Sequence, residues 1–348
     1  MTEVWEDSVN LLTSKYSEVL EEAIGNVRDI IREDLDDPAK ADGEPGDTRY
    51  AERACTFAAR FTGPGAFQLA DRLFEVVFEE VANHPSGGTR HLGLPIHEQA
   101  ICQILLANYD EAVPRLIMAA RSTGREEAQR TLEVNFVGRS CELAAKLATA
   151  FLSPTANAVP SDCIERAIAP LGEGKWAFLG AASSLHANVS TYRRWPTVYG
   201  QARLLDGLRT VAGSLEALIG AIGRGSASAP IAAQFQQAPQ LTIAWCLKRL
   251  FEGSPWWDTW SALEGSTHFD ASNAASDFQA NLSHILSQPM GSTEDATAIG
   301  LALATLVRNY AAHSVMIPES VTPQYNRIAG GLYAAISLLP HAAEREGH

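Results

Sequence analysis

Apolar residues recur three and four positions apart along almost the whole chain, and this is the spacing of amphipathic helices. Between residues 4 and 34, for example, Leu20, Ile24, Val27 and Ile31 follow it. Runs in which apolar and polar residues alternate between turn signals, as in strands, are nearly absent. The sequence therefore predicts an all-α protein.

Residues that favour turns divide this pattern into segments. In the first half we expect helices at about 4–34, 48–61, 65–83, 95–107, 109–121, 125–152 and 161–169. In the second half we expect them at about 175–191, 197–223, 230–252, 255–263, 270–287, 293–313 and 322–341. The acidic stretch 34–47 is rich in Pro and Gly and predicts a loop or linker. The turn-forming run at 170–174 predicts a boundary between two regions, residues 1–170 and residues 171–348.

The acidic charge is concentrated in the first of these regions. The chain of 348 residues has a formal net charge of −14. Residues 1–170 contain 28 acidic and 16 basic residues, whereas residues 171–348 contain 13 and 11. Attraction to nucleic acid through overall charge is excluded, although a local basic pocket in the second region is compatible with these numbers. We expect residues 1–170 to be an acidic, all-helical regulatory or interaction region, or simply a solubilising surface.

One turn in the first region has a repeat-like sequence. Leu106 to Ala112 resembles the turn between paired helices of tetratricopeptide-type repeats, with Tyr109 and Ala112 packed between helices and Asp110 capping the second helix. No 34-residue period runs through the region. A helical-repeat array and an irregular helical bundle both fit the sequence.

The sequence has no features of secretion, membrane insertion or cofactor binding. The N-terminus is acidic and no apolar run is long enough to span a membrane, so we expect a cytoplasmic protein. The five cysteines are widely spaced, which disfavours a disulfide framework or a zinc knuckle. Phosphate-binding glycine loops and a serine nucleophile elbow are also absent. We expect no metal and no other cofactor.

The helix predicted from residue 293 ends in a group of polar residues. Ser292 or Thr293 is suited to cap its beginning, and Pro318 prevents its continuation. Its last turn and a half carry Arg308, Asn309 and His313, with Tyr310 among them. A cation, an amide and an imidazole are therefore placed at one helix end.

Residues 308–313, RNYAAH, match the R-x4-6-H motif of the HEPN superfamily, including the polar residue after the arginine. The second region, over about residues 175–341, resembles these domains. The resemblance implies a helical bundle with metal-independent endoribonuclease activity. Toxins of toxin–antitoxin pairs, abortive-infection proteins and ribonuclease parts of CRISPR effectors belong to this superfamily, so it also implies a toxin or phage-defence role and an antitoxin or activating partner.

The residue types suit this chemistry. Cleavage of RNA without metal needs a group that takes the 2′-hydroxyl proton, a group that protonates the leaving 5′-oxygen, and a cation for the phosphate. Imidazole exchanges protons near neutral pH, so we expect His313 to be catalytic, and the guanidinium of Arg308 matches phosphate. Asn309 is suited to orient the imidazole or bind the phosphate. The resemblance implies products with a 2′,3′-cyclic phosphate and a 5′-hydroxyl.

The spacing of Arg308 and His313 presents a difficulty. Residues five apart on a helix differ by about 140° in direction, whereas Asn309 and His313, four apart, share a face. Arg308 reaches His313 only if its side chain wraps, the helix end loosens, or a π-bulge intervenes. The superfamily pairs two motifs across two domains, so we expect a homodimer with a composite site.

A non-catalytic interpretation stays open for each residue. Arg308 also fits a cation at a helix end, and His313 fits a helix C-cap. Tyr310 fits either substrate contact or core packing. The alternative function is a HEPN-like or helical-repeat protein that binds a nucleotide or another protein.

Other candidates lie outside the motif. Arg193 and Arg194, with Tyr192 and Trp195, predict a basic and aromatic contact surface for RNA, or a solvated turn. His84, His91, His97 and Glu98 are a weak alternative for a metal-dependent hydrolase, without a standard ligand spacing. A second R-x6-H match, Arg90 to His97, contains Gly93 and Pro95 and does not fit a continuous helix. Three tryptophans at helical spacing are expected in the core or an interface: Trp256, Trp257 and Trp260.

Overall fold

The protein is all-α throughout the part of the chain that the structure, a computed structural model, describes. The described residues are 2–36, 64–85, 92–121, 125–152, 158–194, 196–226 and 251–346. The N-terminal helices are α1 (Thr2–Asp36), α2 (Pro64–Asn83), α3 (Gly93–Leu105), α4 (Tyr109–Ala120) and α5 (Arg125–Leu132). A π-helical segment (Glu133–Gly138) precedes α6 (Arg139–Leu152) and α7 (Ser161–Ile168). After these come α8 (Lys175–Arg194), α9 (Val198–Ser226), α10 (Pro255–Glu264), α11 (Ala274–Leu286), α12 (Thr293–Ala311) and α13 (Tyr325–Glu346).

These bounds confirm the other predicted helices in the described ranges, with ends that differ by a few residues, but the helix predicted at 125–152 is divided by the π-helical segment at residues 133–138. The predicted helix at 48–61, all but the last two residues of the predicted helix at 230–252, and most of the predicted linker at 34–47 lie outside the described residues. None of the described helices is both long and apolar enough to cross a membrane.

The chain divides into two compact units, residues 1–132 and residues 133–348. This division falls earlier than the boundary near residue 170 that the turn-forming residues predict. Residues 169–174 instead form a 3-10 turn between α7 and α8, where Gly172 adopts a left-handed φ of 59°. Helix α6 belongs to the second unit because it packs against α13.

In the first unit, each described helix packs against its neighbour in the sequence, from α1 to α5. The core between α1 and α2 is apolar, and Val27, Ile31, Leu73 and Phe74 are at most 1% exposed. This order of contacts fits a helical-repeat array, although the sequence has no constant repeat length. The acidic surface of α2 is partly paired, since Arg28 and Arg32 of α1 both bind Glu80.

A polar network connects α2, α3 and α4. Gln99 Nε2 and Gln103 Nε2 both donate hydrogen bonds to Asp71 Oδ1, at 3.0 Å and 2.6 Å. Arg115 Nε donates to Gln99 Oε1, and Asn108 Nδ2 donates to Gln103 Oε1. Burial raises the pKa of Asp71 in spite of these donors. The network satisfies buried amides, and we therefore assign it to folding of the first unit.

The repeat-like turn joins α3 to α4. Ala112 is fully buried, as expected, and Tyr109 is partly buried. The N-cap of α4 is Asn108 and not Asp110, because the helix begins at Tyr109. Ala107 has a φ of 61°, the left-handed geometry with which helices commonly end.

Helix α12 occupies the centre of the second unit. It packs against α9, α10, α11 and α13, and its residues from Ala296 to Ala304 are buried. Ser292 Oγ accepts a hydrogen bond from Asp295 N, as the sequence predicts for the cap. Trp256 and Trp260 of α10, each 2% exposed, are core residues, as predicted, whereas Trp257 is half-buried and packs on Trp260.

Glycines allow α13 to approach both α12 and α6 closely. A Cβ atom on Gly300 of α12 would collide with the backbone carbonyl of Gly331 in α13. Gly330, the neighbouring residue, meets the carbonyl of Leu147 in α6 in the same way. The backbones therefore touch at these positions, which fixes α12 and the motif at its end against the core.

Candidate functional site

The motif of residues 308–313 lies at the C-terminal end of α12. The helix ends at Ala311, with Ala312 as its C-cap, two residues before the end that the sequence predicts. His313 follows the helix, and its backbone N–H donates to Tyr310 O at 3.0 Å. The last turn of α12 is regular, without a π-bulge.

Arg308 is exposed and pairs with a neighbouring helix. Its side chain is 49% exposed, and its Nε lies 3.1 Å from Glu216 Oε2 of α9. The guanidinium therefore binds a carboxylate and not the helix-end carbonyls that a simple terminal cation would bind. Glu216 is 35% exposed, so the ion pair is open to solvent.

His313 contacts a different part of the unit. Its ring is exposed and lies edge-on against Phe269, with ring centroids 5.8 Å apart and an interplanar angle of 88°. Phe269 belongs to the segment that follows α10, whereas Glu216 belongs to α9. Arg308, on the last turn of α12, and His313, beyond its C-cap, thus contact different neighbours.

Asn309 anchors the helix end. Its Nδ2 donates a hydrogen bond to the backbone carbonyl of Thr267 at 3.0 Å. Thr267 and Phe269 lie in one short segment, so Asn309 and His313 face the same side of the helix, as their four-residue spacing predicts. Because Asn309 Nδ2 binds the backbone, its observed role is to position the end of α12.

Tyr310 is a core residue and not a surface residue. It is 3% exposed, and its ring packs on Phe278 with centroids 4.3 Å apart. Its hydroxyl donates to Met316 O and accepts from Ser314 Oγ, both at 3.1 Å. The prediction that Tyr310 contacts substrate is therefore wrong, and the core-packing alternative is right.

The predicted basic surface is only partly described. Arg193 and Arg194 end α8, but their side chains and Trp195 lie outside the part of the chain that the structure describes. Tyr192 is 7% exposed, and its hydroxyl accepts from Gln201 Nε2 at 3.4 Å. The ring of Tyr192 is therefore not a surface platform for stacking.

The described histidines of the alternative metal site contact separate side chains and not one another. His84 Nε2 lies 3.1 Å from Asp36 Oδ1, and His97 Nε2 lies 3.1 Å from Thr131 Oγ1. His91 and Arg90 lie outside the described residues. Helix α3 begins at Gly93 with Pro95 in its first turn, where the missing N–H costs no helical hydrogen bond. Among the residues that the structure describes, no cluster of histidine, cysteine and carboxylate side chains has the composition of a metal site.

Comparison with protein-family models, with curated proteins and with solved structures finds no match to this chain.

Sequence reasoning did not identify the residues that contact the motif. Glu216, Thr267 and Phe269 are distant from residue 308 in the sequence and belong to no recognisable motif. Their roles follow from the packing of α9 and α10 against α12. Of these three residues, only Glu216 is of a type that the sequence could have suggested, because an exposed arginine in a folded protein commonly has a carboxylate partner.

Proposed function

We propose that residues 308–313 form half of a metal-independent endoribonuclease site of the HEPN type, and that a second copy of the chain supplies the other half. One observation carries this proposal. Helix α12 is buried along most of its length, yet Arg308 and His313 at its end both reach solvent. Asn309 and Tyr310, between them, hold the helix end in place through Thr267 and Met316.

The proposed reaction is an internal transesterification. One His313 accepts the proton of the ribose 2′-hydroxyl while the 2′-oxygen attacks phosphorus, and the bond to the 5′-oxygen breaks. The partner subunit's His313 donates a proton to that 5′-oxygen. The products are a 2′,3′-cyclic phosphate and a 5′-hydroxyl. Arg308 stabilises the additional negative charge on the phosphate.

Two features of the geometry agree with a composite site. Arg308 and His313 of one chain are held by different neighbours, Glu216 and Phe269, and this agrees with a site to which two chains contribute. The ion pair between Arg308 and Glu216 is exposed, and such pairs contribute about 0–1 kcal/mol, which a phosphate can replace. Glu216 therefore holds the guanidinium until substrate binds.

The biological setting is part of the proposal and comes from the resemblance. We place this ribonuclease in the cytoplasm, as a toxin or phage-defence effector. The acidic N-terminal region binds an antitoxin or an activating partner.

Cleavage of RNA by purified protein in EDTA tests the activity. We expect fragments with 2′,3′-cyclic phosphate ends and a loss of rate of about 100-fold or more in Arg308→Ala and in His313→Ala. Arg166→Ala and His284→Ala are matched controls, since both residues are exposed in the same unit, and they should cleave normally. Equal rates in all four variants would reject the assignment.

A mixing experiment tests the second copy. Wild-type chains co-expressed with an excess of His313→Ala chains form mixed pairs. If the site is composite, activity falls with the square of the wild-type fraction. If one chain contains the whole site, activity falls linearly.

A second candidate function is a non-catalytic binding protein. The observation in its favour is that Arg308 and His313 contact separate neighbours, Glu216 and Phe269. In that case, purified protein binds RNA or a nucleotide without cleaving it, in the resting state and with its activating partner.

A further inference from the structure

The exposed imidazole of His313 lies against the ring of Phe269. His313 follows the C-cap of α12, so the helix itself does not fix the direction of its side chain. Its ring and that of Phe269 are nearly perpendicular, at 88°, with centroids 5.8 Å apart. This is the edge-to-face arrangement that pairs of aromatic rings favour. The contact therefore restrains the direction of a side chain that is otherwise open to solvent.

The backbone on both sides of Phe269 is tied to α11. The carbonyl of His268, the preceding residue, accepts a hydrogen bond from Asn281 Nδ2 at 2.6 Å. The N–H of Asp270, the following residue, donates to Asp277 Oδ2 at 3.0 Å. Phe269 thus has a fixed place next to the end of α12, although it lies between helices.

The ring of Phe269 is also held by the core. It is half-buried and lies against Tyr310, with centroids 5.9 Å apart and an interplanar angle of 63°. Tyr310 is itself buried and packs on Phe278 of α11. A series of rings in contact therefore leads from the core of the second unit to the imidazole of His313.

We propose that Phe269 is a positioning residue for His313, and that its ring selects the imidazole rotamer that takes part in cleavage. This inference rests on the proposed function. A general acid or base must be held within hydrogen-bond reach of the proton that it transfers. An exposed side chain without such a contact samples several staggered rotamers. An aromatic pair changes a population of this kind about two- to tenfold.

Two substitutions of Phe269 test the role of the ring in the full-length protein. Phe269→Leu removes the ring but keeps an apolar side chain against Tyr310, whereas Phe269→Tyr keeps the ring. With RNA substrate in EDTA, we expect Phe269→Leu to lower kcat about two- to tenfold with KM unchanged. Phe269→Tyr should restore kcat. A wild-type kcat in Phe269→Leu would overturn the proposal, as would an equal loss in both variants.

Trp257→Leu is the matched control. Trp257 is a half-buried aromatic residue in the same unit, and its ring packs on Trp260 and not on the motif. It should retain the wild-type kcat. If it lowers kcat as much as Phe269→Leu does, loss of any such ring is sufficient and a specific positioning role is rejected.

Nuclear magnetic resonance tests the contact without using activity. The ring current of Phe269 shifts the Hε1 resonance of His313, which is assigned by its absence from the spectrum of His313→Ala. We expect this resonance to move in Phe269→Leu towards the position of a free histidine, and to stay near its wild-type position in Trp257→Leu. An unchanged resonance in Phe269→Leu would overturn the proposal.

The two measurements separate failure of this inference from failure of the proposed function. If the wild type cleaves RNA but Phe269→Leu cleaves it equally well, the positioning role is wrong and the endoribonuclease stands. If the wild type does not cleave RNA, the endoribonuclease is rejected, and with it any catalytic use of the contact, even where the resonance of His313 depends on Phe269.

Discussion

Arg308 of α12 and Glu216 of α9 form an ion pair, with 3.1 Å between Nε and Oε2, on a surface that is open to solvent. The pair holds the guanidinium against α9, whereas the ring of His313 lies against Phe269. The charge at residues 308–313 therefore depends on Glu216, a residue that lies outside the R-x4-6-H motif.

Replacing Glu216 by Gln should release Arg308 without unfolding the protein. An exposed ion pair contributes about 0–1 kcal/mol, so the free energy of unfolding changes little. If Arg308 binds substrate phosphate, loss of the competing carboxylate increases the affinity for RNA severalfold, most strongly at low salt. Titration of labelled RNA with the wild type and with Glu216→Gln at two salt concentrations measures this change in affinity.

Glu142→Gln is the control for this substitution. It removes the same charge from another exposed ion pair, with Lys146 on α6. Equal effects of the two substitutions on RNA affinity would show that overall charge, and not the release of Arg308, is responsible.

Tyr310→Phe and Tyr325→Phe should differ in stability although the chemical change is identical. Removing the Tyr310 hydroxyl eliminates its hydrogen bonds with Met316 O and Ser314 Oγ, although Ser314 Oγ still donates to Met316 O, so we expect a cost of about 0.5–1.5 kcal/mol. Tyr325 loses no hydrogen bond within the described residues. The midpoints of urea unfolding compare the two, and equal midpoints would contradict the assigned bonding.

Gly300→Ala should destabilise the second unit strongly. Its new Cβ would meet the carbonyl of Gly331, so α12 and α13 must separate, at a cost of about 1–3 kcal/mol or more. Thermal unfolding followed by circular dichroism measures the loss.

Gly213→Ala provides the matched control on α9. A Cβ atom at Gly213 has no neighbour within 4 Å. Alanine in a helix interior is about 0.5–1 kcal/mol better than glycine, so this variant should gain stability. Destabilisation by both variants to the same extent would show that the close approach of α12 and α13 is not what makes Gly300 necessary.

Cys141 should make the protein less stable as the pH rises above about 8.5. Burial raises the pKa of its thiol to about 12, whereas an unfolded thiol ionises near pH 8.5. Between these values the folded state keeps a proton that the unfolded state releases, so rising pH favours unfolding. The loss amounts to about 1 kcal/mol between pH 8 and pH 9.5.

Urea unfolding of wild type and Cys141→Ala over this range tests the prediction. The range lies below the ordinary pKa of tyrosine, about 10, so buried tyrosines contribute little. The variant should show a flatter dependence of stability on pH. Parallel curves would mean that Cys141 does not control this dependence.

Helices were predictable because their signals are local. The Ser292 cap lies directly before the first residue of α12, and the apolar stripe lies within the helix itself. The positions of Arg308 and Asn309 on the last turn of α12 were predictable for the same reason, whereas His313 lies beyond the C-cap.

The unit boundary was not predictable from such signals. The run at 170–174 has the composition of a linker, but it forms a tight turn inside the second unit. Whether a turn separates two units depends on which helices pack across it, and here α6 packs against α13 from the far end of the chain.

By itself, the sequence determined that the chain is helical, where most described helices begin and end, and that a cation, an amide and an imidazole share one helix end. Only the tertiary structure decided that Arg308 pairs with Glu216, that Tyr310 is buried, and that Phe269 contacts His313. The physical reason is the separation along the chain of the residues that interact. Helix formation depends on neighbours three and four residues apart, whereas burial and pairing depend on residues that only folding brings together.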